Sequence, residues 1–278
     1  MIRPPLVNTA RPGRFTTAVV NKADLSRRYY LLVLERPEGL AEPEPGMFIH
    51  LLPPASGRFF LRRPLSILDC DDSTVSLIVV EKGAGTQCLR RVPVGGAVDF
   101  IGPLGNSFPH LPGKRILAVG GGVGLAPLYY YRSTWGSERG EAAGGEYRLL
   151  YGARTREDLF LDRFDWRSSE VGFATDDGTH GFPGNVVELA AKEIERAPFD
   201  VVFSCGPSPM LEAAAKLARE KRILHYVSLE NRMACGMGAC RSCVVLSRDG
   251  ETEIYKTVCN DGPVFDAESL VWDKLPRV

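Results

Sequence analysis

The sequence predicts a multi-domain α+β and α/β chain: an antiparallel β-barrel over residues 1–110, a parallel-sheet α/β unit over 111–225, and a small cysteine-bearing unit over 226–278. Three observations predict it. The first third holds short apolar-alternating runs broken by Gly and Pro, with little helical periodicity. The middle alternates strand-like and helix-like segments, the pattern of a parallel sheet with helices on both faces. The last part holds four of the chain's seven cysteines. A length of 278 residues is also more than one hydrophobic core usually serves.

Composition narrows the function before any motif is read. Lys plus Arg and Asp plus Glu number 34 each, so net charge points neither to nucleic acid nor to an anionic membrane. No run approaches the roughly 18 apolar residues of a membrane span. The opening "MIRPPLVNTARPGRF" has no apolar signal region, so a cytoplasmic location is expected. Disulfides are rare there, and clustered cysteines more often hold metal.

In the first third, "RFTTAVVNKA", "RYYLLVLER", "GMFIHLLPP", "RPLSILDCD" and "VSLIVVEKG" read as the strands of a small barrel. "LRRPLSI" places Arg63, Pro64, Leu65 and Ser66 at a strand start. "KGAGTQCLR" places Gly85 and Thr86 at a turn opening a short helix. "DFIGPLGNSF" reads as a glycine–proline loop. Each alone is an ordinary barrel feature. An arginine and a helix N-terminus in one small domain are nonetheless what a flavin pyrophosphate needs, since both present N–H donors to an anion.

In the middle, "KRILAVGGGVGLAPLYYYRST" (114–134) reads as strand, glycine turn and helix. Its glycines let a pyrophosphate approach the backbone, although Pro127 makes the match to G-x-G-x-x-G imperfect. "EYRLLYGAR" (146–154) reads as a strand, "NVVELAAKEIER" (185–196) as a helix, and "FDVVFSCGPSPMLEAAAKLAREKRI" (199–223) as strand, turn and helix. "GGGVG" and "SCGPSPM" both fall at C-terminal strand ends, so two separate segments point to one Rossmann-like crevice. "RSTWGSERGEAAGGEYR" reads as a polar insertion. The histidines His50, His110, His180 and His225 are scattered and read as structural. Asp176 and Asp177 read as a solvated turn.

At the C-terminal end, "MACGMGACRSCVV" and "KTVCND" space their cysteines as C-x4-C-x2-C, fifteen residues, then C. This is the plant-type spacing for a [2Fe-2S] cluster held by Cys235, Cys240, Cys243 and Cys259. Gly236 and Gly238 allow a loop tight enough to aim backbone N–H groups at sulfur. "VVLSRDGETEIYKTVC" reads as a hairpin turning at Asp249-Gly250, which would carry Cys259 back to the loop. Structural zinc more often takes two short-spaced pairs.

The order of these parts resembles the ferredoxin-NADP reductase superfamily. "SLENRMACGMGACRSCVV" followed by "VCNDGPVF" further resembles the electron-transfer subunits of NAD-dependent, type B dihydroorotate dehydrogenase. The likeness spans nearly the whole chain. It implies FAD contacts from Arg63, Pro64, Leu65 and Ser66, from the strand residues Ile78, Val79 and Val80, and from Gly85 and Thr86. It implies NAD contacts from Gly120, Gly121, Gly122 and Gly124 and from Cys205, Gly206 and Pro207. Ser66 would lie near flavin N5 and Cys205 on the nicotinamide side, the two positions nearest the reacting atoms. The implied partner is an FMN-containing catalytic subunit, in a dimer of heterodimers, that oxidises dihydroorotate during pyrimidine synthesis. Electrons would pass from that FMN through the cluster and FAD to NAD⁺. The same cofactors would also serve a subunit of a ferredoxin-NADP reductase, hydrogenase or sulfur reductase. A redox sensor without turnover is a third reading, and it leaves the nicotinamide crevice without a purpose.

Overall fold

The computed structural model describes residues 4, 6–54, 59–136, 145–160, 163–164 and 170–276. Of the polar insertion expected at residues 132–148, residues 137–144 lie outside them.

Six antiparallel strands close the barrel: β1 (Gly13–Asp24), β2 (Tyr29–Glu35), β3 (Phe48–Leu52), β4 (Arg63–Cys70), β5 (Thr74–Val80) and β6 (Ala97–Leu104), in the order β1-β2-β5-β4-β3-β6. The period of two sends Leu32, Leu34, Ile49, Leu51, Ile67, Leu77 and Phe100 inside. Helix α1 (Ala84–Arg91) follows β5 and adds Leu89 to that core. One expectation is corrected here. Most of "DFIGPLGNSF" is strand, since β6 runs to Leu104. Its proline sits where the β3–β6 register slips, between the Phe48–Leu104 and His50–Ile101 pairs. A missing N–H is tolerated at such an irregularity, and the sequence alone does not show where a register slips.

The second unit is the alternating one: β7 (Arg115–Gly121), α2 (Leu125–Tyr131), β8 (Glu146–Ala153), β9 (Val171–Thr175), β10 (Phe182–Pro183), α3 (Val186–Arg196), β11 (Val201–Cys205), α4 (Ser208–Lys221) and β12 (Leu224–Ser228). Helix α3 starts where it does because Asn185 Oδ1 accepts from the N–H groups of Val187 and Glu188, both at 3.0 Å, while Glu188 Oε2 accepts from Asn185 N at 3.3 Å. In the third unit, β13 (Val244–Asp249) and β14 (Thr252–Thr257) form the expected hairpin, turning at Gly250 with φ +60°. β15 (Val264–Asp266) does something the sequence does not announce. It pairs antiparallel with β12, giving a seven-stranded sheet ordered β10-β9-β8-β7-β11-β12-β15.

The units therefore interlock. β12 runs through Ser228, past the boundary drawn at 225, and the third unit supplies the sheet's last strand. Asn106, only 1% exposed, ties barrel to C-terminal segment. Its Nδ2 donates to Val264 O at 2.9 Å and Asp261 O at 3.2 Å, and its Oδ1 accepts from Val264 N at 2.9 Å. One apolar cluster joins Leu68 and Ile78 of the barrel to Leu125, Tyr131 and Phe203 of the α/β unit. Another lies under the cysteines and joins Phe48 and Leu104 to Val227, Cys243, Val258 and Cys259.

Candidate flavin, nicotinamide and cluster sites

A cavity of about 820 Å³ opens where the three units meet. That is within the range of small-molecule sites. Its walls come from the start of β4, the end of β5, the first turn of α1, Val123 and Cys205 of the α/β unit, and residues 228–233 leading to the cysteines.

One end is built for an anion. The Gly83 N–H and the Lys82 N–H both donate to Thr86 Oγ1, at 3.3 and 3.1 Å, and Tyr30 Oη donates to Thr86 O at 2.9 Å, so the helix start is held firmly. Arg63 is held alongside. Its Nη1 donates to Leu61 O at 2.7 Å, and its guanidinium lies 5.6 Å from the centre of the Phe59 ring. A β-carbon at Gly85 would fall 2.7 Å from Arg63 Nε, so the glycine is what lets the guanidinium lie across the helix start. A cation and a helix N-terminus thus converge, the arrangement a pyrophosphate requires. Arg62 is engaged elsewhere, in an ion pair with Asp99.

Along the cavity the strand pleat sorts the expected contacts. Pro64, Ser66, Ile78 and Val80 line it, as do Gly85 and Thr86. Leu65 touches the cavity while packing in the barrel interior. Val79 does not line it. Its side chain is fully buried in the barrel, one residue out of phase with Ile78 and Val80.

Ser66 and Cys205 reach the same cavity from two different domains. Burial pushes the Cys205 thiol far above its ordinary range, so it is neutral near pH 7. The glycines after β7 do not line the cavity. Gly121 faces Met210 and Pro207, and Gly124 is packed onto the backbone of Cys205 and Gly206. The two turns at the switch point are therefore in contact, and Gly206 and Pro207 line a smaller groove of about 210 Å³ beyond them. Glu230 borders both spaces. It opens onto them and is otherwise crowded by protein, which raises its carboxyl pKa, while Lys82 opposes the shift. Glu230, Lys82 and Arg232 were not singled out from the sequence, since a lone charge in "SLENR" carries no pattern.

The cysteines come together two and two. Cys240 N donates to Cys235 Sγ at 3.4 Å, and Cys259 N donates to Cys243 Sγ at 3.4 Å. Met237 N also donates to Cys235 Sγ at 3.4 Å, and Gly238 N to Cys259 Sγ at 3.1 Å. Hydrogen bonds from Ser242 and the backbone pull the Cys240 thiol down to about 6. Cys243 and Cys259 share a proton, which lowers the first to about 6 and raises the second. Among the described residues, no three His, Cys, Asp or Glu side chains converge as a single metal ion would need. Two such pairs suit a binuclear cluster, in which each iron would take two thiolates, and backbone N–H groups aimed at sulfur suit its anionic charge. The donor set therefore fits.

Residues 230–271 match the iron-sulfur cluster binding domain of dihydroorotate dehydrogenase B. The chain is 38% identical over 266 residues to the dihydroorotate dehydrogenase B (NAD(+)) electron transfer subunit of Shouchella clausii, covering 94% of this chain and 98% of that one. It is 37% identical over 265 residues to the same subunit of Bacillus caldolyticus, covering 93% and 99%. The chain belongs to this electron transfer subunit family. It is accordingly an oxidoreductase subunit that works with FAD, a [2Fe-2S] cluster and NAD. Among solved structures, the NADH-dependent reduced ferredoxin-NADP oxidoreductase superposes with a TM-score of 0.78 at 28% identity, covering 92% of this chain and 90% of that one. An Amycolatopsis cytochrome P450 reductase superposes with a TM-score of 0.63 at 26% identity, covering 77% and 68%.

Proposed function

We propose that this subunit carries electrons from an FMN-bearing dihydroorotate dehydrogenase subunit to NAD⁺, so that dihydroorotate and NAD⁺ give orotate, NADH and a proton. The single observation that supports it most is the cavity walled by barrel, α/β unit and cysteine unit together. FAD, when bound, exchanges electrons in pairs with a nicotinamide and singly with an iron–sulfur cluster.

The rest is the work of the chain's own groups. Arg63 and the first turn of α1 anchor the pyrophosphate. Pro64, Leu65, Ile78 and Val80 give an apolar wall that excludes water. Ser66 offers a hydroxyl at the reacting end. Cys205, neutral and buried, gives a soft surface against which a nicotinamide can lie. Gly121 and Gly206 let the two turns touch, and Gly206 and Pro207 border the smaller groove where the nucleotide would lie. Cys235 with Cys240, and Cys243 with Cys259, hold the two irons. Cys240, Met237 and Arg241 are exposed, so this loop is the face offered to the FMN subunit. The family resemblance, and not the exposure, carries the reading of a dimer of such pairs in the cytoplasm.

The test is anaerobic. The chain is purified with its co-expressed partner, dihydroorotate is added, and the visible spectrum is followed. Flavin and iron–sulfur bands should bleach, and NADH should form when NAD⁺ is added. Bleaching by NADH but not by dihydroorotate would overturn the choice of partner and leave the chemistry standing. That outcome would favour a second reading, supported by the 0.78 TM-score to the ferredoxin-NADP oxidoreductase, in which the same subunit serves an electron-bifurcating complex.

A further inference from the structure

We propose that His50 is a positioning residue for the iron–sulfur cluster: the barrel strand beside the flavin motif holds, through this imidazole, the Cys235–Gly236 segment of the cluster loop. The inference rests on the cluster reading above.

His50 lies at the middle of β3. By alternation Ile49 and Leu51 point into the barrel, so Phe48 and His50 point out of it, toward the cysteine unit. Phe48 packs in the apolar cluster that contains Cys243 and Cys259. The other edge of β3 is hydrogen-bonded to β4, where Phe48 is opposite Ser66 and His50 is opposite Pro64. One strand therefore borders the flavin motif on one side and the cluster loop on another. Arg62, paired with Asp99, donates to the His50 carbonyl at 3.3 Å, which pins the strand itself.

The ring is in an expensive place. His50 is 0% exposed, and neither Nδ1 nor Nε2 has a hydrogen-bond partner among the described residues. A buried polar group left unpaired costs about 1–3 kcal/mol. A leucine of similar bulk would avoid that cost, so packing alone gives no reason for a histidine. The ring faces the loop. A β-carbon on Gly236 would lie 2.5 Å from Nδ1 and 3.1 Å from Cγ, and Gly236 has φ +76°. The backbone of the ligand Cys235 is one of the two that bear on the ring, with that of Arg62. The ring N–H, unpaired here, faces the ligand loop. It can stabilise the extra negative charge of a reduced cluster, and donors of this kind raise cluster potentials.

The decisive variant is His50→Leu in the full-length chain loaded with FAD and cluster. The apo form should melt at the same temperature as wild type or higher, because an orphaned polar group has been replaced by an apolar one. The reduced cluster should nonetheless give an altered EPR spectrum and a lower midpoint potential, with flavin content and spectrum unchanged. His50→Asn, which carries a donor at the position of Nδ1, should restore the wild-type spectrum and midpoint. A His50→Leu protein whose EPR spectrum and midpoint match wild type would show the ring to be filler and overturn the proposal. If His50→Leu does not fold, the Asn and Gln variants decide: a wild-type signature in Asn and an altered one in Gln supports it, and any other pattern overturns it. A wild-type chain with iron but no reduced-cluster EPR signal would instead overturn the cluster reading, so the two failures are distinguishable.

Discussion

At the scale of single residues, the anion end of the cavity depends on one guanidinium. Removing it by Arg63→Ala takes away charge-assisted hydrogen bonds worth about 1.5–3 kcal/mol, so FAD should bind roughly ten- to a hundredfold more weakly. Gly85→Ala keeps the charge but puts a methyl 2.7 Å from Arg63 Nε, where the flexible end of the arginine must yield. It should weaken FAD binding in the same direction and by less. Both changes act on the same group, so the double variant should bind FAD about as poorly as Arg63→Ala alone. Flavin fluorescence titration of the apoprotein measures all three. Additive losses would mean that Gly85 acts on something other than Arg63. These residues were legible because arginine, glycine and threonine each carry a backbone or charge signature. The sequence does not show that the Val79 side chain turns into the barrel, because the phase of the strand decides which face a residue takes. His50 and Glu230 were not legible as site residues. Their meaning comes from what the fold places opposite them.

At the scale of elements, local signals carried well. The Asp249-Gly250 hairpin and the helix read over 185–196 are both set within a few residues, and both are found, the helix running Val186–Arg196 behind an Asn185 cap that the structure adds. Non-local pairing did not show in the sequence, which is why β15 and the strand character of β6 were missed. The parallel sheet also hides a titrating pair between neighbouring strands. Ser204 on β11 and His225 on β12 are buried, with Oγ and Nε2 2.7 Å apart. Burial pushes the His225 pKa down to about 3, from an ordinary 6.5. The charged form is thus disfavoured in the folded chain, and the unfolded chain takes up the proton first as pH falls. The contribution of His225 is fully present above pH 6.5 and is lost as pH falls from there toward 3, at about 1.4 kcal/mol per pH unit. His225→Gln can keep the bond to Ser204 without titrating. Urea unfolding at pH 7, 6 and 5 should therefore show a shallower acid loss for the variant, by about one proton. Parallel curves would mean that His225 is charged in the folded state.

At the scale of the whole molecule, the cofactor sites lie in units that a chain could hold at many distances, yet electron transfer needs them close and constant. Three features fix the distance here: the sheet shared by β12 and β15, the apolar cluster that joins Phe48 to Cys243 and Cys259, and Asn106. Asn106 is the most exacting of them, because its side chain makes three bonds to a segment more than 150 residues away in sequence. Asn106→Ala leaves the buried N–H of Val264 unpaired, at about 1–3 kcal/mol for that group alone. The change touches neither the Arg63 pocket nor any cysteine. FAD and cluster should therefore still load, and NADH should still reduce the flavin at the wild-type rate. The later step, in which the cluster is reduced, should slow, because the segment that holds Cys259 is no longer tied to the barrel. Stopped-flow absorbance separates the two phases. If both slow together, Asn106 supports the flavin site and not the junction. If neither slows, β15 and the apolar cluster hold the units in register without it.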